Sequence, residues 1–318
     1  MQNKINGALS AAPKKTSYFY RLGRDYRQYK WAYLMMIPVM AFYVIFCYVP
    51  MYGAIIAFKD FSPIAGILGS KWAGFKHFEA FFKDFYFWRI VGNTLKISFL
   101  NLLFGFPAPI ILALLLNEIR NTKFKRIVQT VSYFPYFISL VVVCGIIKSF
   151  LMSDGLINDI VSVFTGTRIS YLQEPQYFRA IYVISGIWQN IGWSSILYIA
   201  VLTGINQEYY EAAVIDGAGR WKQMIHITIP CLMPTIIIML ILNIGSILNV
   251  GYEKIILLYN PTTYETADII SSYVYRKGLL ESNYSYSTAV GLFNSVCNFI
   301  FIYLANRISR AVGETSLW

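Results

Sequence analysis

Six runs of apolar residues, at roughly 31–57, 93–117, 127–151, 178–204, 226–250 and 286–306, dictate what this chain can become. A helix needs about 20 mostly apolar residues to cross the hydrocarbon of a bilayer, and every run is that long. Soluble domains carry about 25% charged residues. Here the share is 14%, with a mean hydropathy of +0.51. The sequence therefore predicts an all-α integral membrane protein with six transmembrane helices. Pro38 and Pro50 fall inside the first run and Phe106-Pro107-Ala108-Pro109 inside the second, where a kink is expected. Aromatic residues, at 17%, fit a chain with two lipid–water boundaries to mark.

Lys and Arg concentrate in cytoplasmic loops, so charge predicts topology. The tail 1–30 holds Lys4, Lys14, Lys15, Arg21, Arg24, Arg27 and Lys30 against the single acid Asp25. With that tail inside, the loop carrying Arg120, Lys123, Lys125 and Arg126 is inside as well. So are Arg220 and Lys222, and the C-terminal tail 307–318 with Arg307 and Arg310. The external loop 58–92 is the exception, with five basic residues partly offset by three acids. Both termini are expected in the cytoplasm, around a membrane domain at 31–306. The first 30 residues lack an early apolar core, which predicts that the first run stays as an anchor rather than being cleaved. "SYFYRLGRDYRQYK" (17–30) reads as an interfacial helix on an anionic leaflet. "WAGFKHFEAFFKDFYFW" (72–88) spaces Phe78, Phe81, Phe82 and Phe85 as a helix lying on the outer membrane surface would.

Several chemistries are excluded. The net charge of +11 follows membrane topology rather than a nucleic-acid footprint. Cys47, Cys144, Cys231 and Cys297 each sit in an apolar run without zinc or disulfide spacing, and read as packing residues. His77 and His226 are isolated from any acid–nucleophile pattern and read as structural. No P-loop is present, so no nucleotide site of that kind is expected in this chain, nor any other cofactor or metal. A membrane-embedded enzyme would need paired carboxylates, a metal cluster or a nucleophile–base pair, and no run holds one.

One polar island interrupts this pattern. "EAAVIDGAGRWKQMIHITIP", Glu211 to Pro230, spans most of a loop at 205–225 after the fourth run and ends in the start of the fifth. Gln207 to Val214 predicts a short helix, Asp216-Gly217 a turn, and Arg220 the start of a second helix. Such a protrusion, with alanines permitting close approach, suits docking into a cleft of another protein.

These residues resemble the EAA loop, Glu-Ala-Ala-x3-Gly-x9-Ile-x-Leu-Pro, of the membrane subunits of binding-protein-dependent ABC importers. Glu211, Ala212, Ala213, Gly217, Ile227 and Pro230 match in register, with Ile229 where the pattern has Leu. "YGAIIAFKDFSP", "WAGFKHFEAFF", "DGAGRWKQMIHITIP", "YEKIILLYNP" and "SSYVYRKGL" are similar, in order, to the maltose-type and Gram-positive polysaccharide-permease branch. Gly219 departs from the serine many relatives carry there, which predicts a weaker cap for the second helix. The resemblance implies a MetI-like type I permease fold, with the first span wrapping across to a second permease subunit. It also implies a cytoplasmic ABC ATPase dimer binding ATP and Mg, an extracellular sugar-binding lipoprotein, and an oligosaccharide or polysaccharide fragment moving inward. Glu211, Ala212, Ala213, Asp216, Gly217, Ala218, Ile227 and Pro230 would then form the coupling helix that the ATPase grips.

A sugar path needs side-chain hydrogen bonds and flat aromatic faces. Trp188, Gln189, Asn190 and Trp193 supply both in the fourth run, and the family takes sugar contacts from the helix before its EAA loop. Asn243, Ser246 and Asn249 recur at spacing three, predicting one face of the fifth helix. Asn294 and Asn298 recur at spacing four in the sixth. The same amides could equally bind helices together or contact a partner subunit. An ion-coupled secondary transporter is the rival reading. Proton relays need ionisable groups in the membrane, and the centres of the six runs hold no Asp, Glu, Lys, Arg or His.

Overall fold

A computed structural model describes residues 28–312, and the expected interfacial helix at 17–30 lies almost wholly outside them. The chain divides into two units, one reaching Ile55 and one from Ile56 onward. In the first, α1 (Lys30–Phe42) passes into a π turn at Tyr43–Tyr48 and the short helix Val49–Met51. It forms most of the candidate span Lys30–Phe58.

The second unit begins with a two-strand antiparallel hairpin, β1 (Lys59–Asp60) against β2 (Lys71–Trp72), followed by α2 (Lys76–Phe82). The long elements follow: α3 (Phe87–Leu100), α4 (Pro107–Glu118), α5 (Thr122–Tyr133), α6 (Leu140–Leu151) and α7 (Leu156–Thr165). Next comes α8 (Pro175–Thr203), the 29-residue helix at the centre of the unit, which packs on α4 and α5. After it come α9 (Gln207–Ile215), α10 (Arg220–Gln223), α11 (Ile229–Gly245), α12 (Tyr252–Leu258), α13 (Ile270–Tyr275) and α14 (Tyr284–Val312).

The prolines explain a recurring irregularity. Pro50, Pro107 and Pro230 each stand two residues beyond a π turn, at Tyr43–Tyr48, Asn101–Gly105 and Met224–Thr228. A proline ring clashes with the carbonyl four residues back and offers no N–H. One wider turn ahead of it relieves the clash while the helix continues. The expected kink at 106–109 is thus a π turn that joins α3 to α4.

Among the described residues, five helical stretches are long and apolar enough to span: Lys30–Phe58, Phe87–Glu118, Leu140–Thr165, Arg220–Gly245 and Tyr284–Ala311. At about 44 Å α8 has the length, but Gln189, Asn190 and its glycines and serines dilute its hydropathy. The third run departs from expectation. It breaks at Phe134–Phe137, where Pro135 ends α5 and Ser139 caps α6 by accepting from the Val142 N–H. The fifth run also departs: its continuous helical stretch begins at Arg220 and stops at Gly245, so Ser246 and Asn249 lie beyond the helix rather than on its face.

Three clusters of buried side chains organise the unit. One joins α3, α6, α8 and α12 through Ile97, Val143, Phe178 and Ile255. A second gathers Phe81, Phe87, Ile90, Ile270, Tyr273 and Val290. Phe81 of α2 is fully buried against α3, α13 and α14, so α2 is anchored to the fold on that side, while Phe75 and Phe82 stay exposed. Phe85 lies past the end of α2 and is exposed. The third cluster, Ala113, Tyr198, Leu202, Ile205 and Leu232, lies at the α4–α8–α11 junction.

Within the stretch 251–283, residues 267–270 and 272–273 are buried as well. Asp268, fully buried, pairs with Arg276 at 2.6 Å and accepts from Ser272 Oγ at 2.8 Å. Its backbone carbonyl accepts from Asn93 Nδ2 at 3.0 Å, and Asn93 Oδ1 in turn accepts from Arg179 at 3.0 Å. Through its side chain and its backbone together, Asp268 therefore ties α13 to α3 and α8.

Candidate coupling segment and translocation cavity

The polar island folds as a helix, a turn and a helix. Asn206 caps α9, its Oδ1 accepting the Glu208 N–H at 3.1 Å. At the other end Gly217 has φ +76, a left-handed conformation in which a side chain is strained. The Ala218 N–H reaches the Ala213 carbonyl at 2.8 Å, and the Gly217 N–H reaches Val214 at 3.0 Å. That paired closure is a Schellman motif, and it spends the last carbonyls of α9 while reversing the chain. Gly219 gives α10 no side-chain cap, as expected of glycine there. Instead Gln223 Nε2 donates to the Ala218 carbonyl at 2.8 Å.

From Arg220 the backbone stays helical through the π turn into α11, so the segment is continuous with a candidate span. Ala212, Ala213, Asp216, Ile227 and Pro230 line one shallow groove between α9 and the root of α11. Glu211 and Ala218 lie outside that groove, and Glu211 is exposed. Ile227 packs against the third cluster, and Tyr210 bonds buried Thr228 across the turn, oxygen to oxygen, at 3.0 Å. Tyr210 and Thr228 were not singled out by the sequence. They stand 18 residues apart, and only the closed turn brings them together.

The second feature is an open cavity of about 950 Å³ beside α8. It brings together Gln189, Asn190, Trp193 and Asn243 from the sequence candidates, and adds Tyr136, Tyr182 and Lys254. Trp193 stacks on Tyr136 with ring centres 4.6 Å apart and planes within 5°. Gly192 makes this possible, because a Cβ there would stand 2.1 Å from the Ser132 carbonyl oxygen of α5. Asn190 Nδ2 donates to the Gly186 carbonyl at 2.9 Å, and Asn243 Nδ2 to the Met239 carbonyl at 2.8 Å. Ser246 and Asn249 border a smaller adjoining space of about 130 Å³. Asn249 Oδ1 accepts from both Asn294 and Asn298 at 3.0 Å, so these three amides join the end of α11 to α14. Trp188 borders neither space and is partly exposed.

A family model described as "Binding-protein-dependent transport system inner membrane component" matches residues 105–314, which take in α8, the coupling segment and most of the lining of both cavities. The chain belongs to that family. It is 45% identical over 316 residues to protein LplB of Bacillus subtilis, covering 99% of this chain and 98% of LplB. It is also 45% identical over 292 residues to the polygalacturonan/rhamnogalacturonan transport system permease protein YteP of the same organism, covering 92% and 91% of the two chains. Among solved structures, a bacterial ABC transporter for import of the acidic polysaccharide alginate contains a chain 44% identical to this one. The match has a TM-score of 0.85 and covers 92% of this chain and 99% of that one. This protein is therefore a multi-pass membrane subunit of an ABC importer, with the MetI-like helical fold that the EAA pattern implied. Nothing in these relatives favours the ion-coupled alternative.

Proposed function

We propose that the chain forms half of the transmembrane path for an oligosaccharide or polysaccharide fragment, and that the segment 206–230 couples that path to a separate ATPase. The observation that carries this is mechanical. The exposed α9 is locked by its Schellman turn to α10, α10 runs unbroken into α11, and Ile227 and Tyr210 fasten the turn to the α4–α8–α11 junction. A push on α9 therefore moves the ends of the helices that border the cavity. The carbohydrate substrate is supported by the amides and stacked rings of the cavity, and by relatives whose names carry polygalacturonan and alginate.

In this reading both termini and the coupling segment face the cytoplasm. ATP and Mg bind to the ATPase dimer, a second permease subunit completes the path, and an extracellular lipoprotein delivers the sugar. Catalysis belongs to the ATPase, and membrane lipid surrounds the bundle. No nucleic acid takes part. The test is purification from native membranes in mild detergent, with mass spectrometry of what accompanies the chain. An ATPase and a second permease are expected with the wild type and are expected to be lost with Gly217→Asp, along with uptake. Repeated recovery of the chain alone, or normal uptake by that variant, would overturn the coupling role.

A further inference from the structure

The cavity wall contains a charge that a path for neutral sugars does not require. Lys254 on α12 is 6% exposed, and its Nζ donates to the Tyr182 carbonyl at 3.0 Å while sitting 4.9 Å from the centre of the Tyr182 ring. The ammonium also lies against Gly186, where a Cβ would stand 3.3 Å from it. Tyr182, Gly186 and Lys254 all border the 950 Å³ cavity. Among the described residues no carboxylate comes within 4.0 Å of this nitrogen. An ammonium has three N–H donors, and the contacts here include one hydrogen bond. Burying such a group without an anionic partner is costly. The remaining charge in that part of the wall, Glu253, is exposed, where solvent and salt screen it. Lys254 is not screened in that way.

We propose that Lys254 binds the carboxylate of an acidic oligosaccharide, so that this chain selects for uronate-containing substrates within the path. The proposal rests on the cavity being an oligosaccharide path. Sugar hydroxyls need only neutral partners, which Gln189 and Asn190 supply, and sugar faces need flat surfaces, which the Trp193–Tyr136 stack supplies. Among sugar substituents it is an anionic one, such as the carboxylate of a uronate, that a buried cation matches. Its arrival would neutralise Lys254 at the stage when the substrate has left its binding protein.

The test uses the complete importer, with its partner subunits and binding protein, reconstituted in proteoliposomes. Uptake of trigalacturonate is compared with uptake of its trimethyl ester, which keeps the sugar backbone, adds one methyl per residue and has no charge. The binding protein is common to both arms, so the ratio of variant to wild type isolates the permease. Lys254→Gln is expected to reduce acid uptake about ten- to a hundredfold, the range for losing a charged hydrogen-bond partner, and to leave ester uptake unchanged. Lys254→Arg, which keeps the charge, is expected to retain most acid uptake. If Lys254→Gln fails to assemble with the ATPase, Lys254→Met repeats the comparison with the length of the stem preserved. Equal losses on both probes would make Lys254 a strut between α12 and α8 and overturn the proposal. So would unchanged acid uptake. A wild type that does not move the acid overturns the proposal, and one that moves the ester but not the acid leaves the oligosaccharide reading standing.

Discussion

The coupling segment 206–230 and the stretch 251–283 are both short-helix regions beside long helices, yet they are held in opposite ways. The first is closed by neighbours in sequence: Asn206 on Glu208, Ala218 on Ala213, Gln223 on Ala218. Most of its side chains are exposed. The second is closed by partners far away in the chain, with Asn93 on Asp268, Thr94 on the Ile270 N–H and Tyr273 on Asp84. At its core Ile255, Leu258, Ile269, Ile270 and Tyr273 are buried. A part that hands force to another protein must keep its shape without help from the core it moves. A part that holds helices together has no shape without them.

Substitutions should separate the two regions, and the largest effect is expected in the buried one. Asp268→Ala leaves Arg276 half-buried without its partner, and breaking a buried pair costs about 3–5 kcal/mol. The expected result is a lower thermal midpoint of the detergent-purified protein and poor recovery from membranes. A midpoint equal to wild type would mean that the buried Asp268–Arg276 pair carries no stability, and the contrast would lose that support.

In the coupling segment Gly217→Ala should cost about 1–2 kcal/mol, the strain of a side chain in the left-handed region. No atom lies within 4 Å of the added Cβ, so the penalty is backbone strain alone. ATP-driven uptake should therefore fall much further than the thermal midpoint does. Parallel falls would show that the turn is merely structural. Asn206→Ala, which removes the cap of α9, should cost about 1 kcal/mol. Hydrogen exchange should then rise along Gln207–Ile215 and stay unchanged across α12 and α13. Spread of exchange into those helices would show that the two regions are not independent.

The same division decides what could be read from sequence. The helix at Gln207, the turn at Gly217 and the restart at Arg220 are written in capping and turn residues within ten positions of one another. The apolar runs likewise follow from local composition, and α14 and the α3–α4 pair fall where they were expected. The end of α11 at Gly245 was not legible, since Asn243, Ser246 and Asn249 have helical spacing. What stops the helix there is tertiary: the Leu248 N–H is taken by Asn298, Asn249 is held by Asn294 and Asn298, and Gly245 abuts Ile302. Phe81 could not be told from Phe82 and Phe85 by spacing, and only docking on α14 buries it. Lys254 reads as an ordinary loop cation until α12 is folded against α8.

The smallest effect expected is one of pH, and it concerns the buried side of the contrast. Asp84 stands between α2 and α3, where burial pushes its carboxyl up. Hydrogen bonds from the Tyr273 hydroxyl, the Tyr86 backbone N–H and the Tyr286 hydroxyl outweigh burial and hold it below its ordinary value. The Tyr273 and Tyr286 oxygens lie 2.6 and 2.8 Å from Oδ2. A carboxyl whose folded value is depressed adds stability above its unfolded value, about pH 4, and that contribution is lost as pH falls through the folded value. The thermal midpoint should therefore drop on acidification below about pH 4, and Asp84→Asn should flatten this part of the profile. Tyr273→Phe should flatten it partly, because two of the three donors remain. Identical acid limbs in all three proteins would remove Asp84 from the contacts that fasten α13 and α14 to the start of α3, and would leave Asp268 as the one carboxylate holding that side of the comparison.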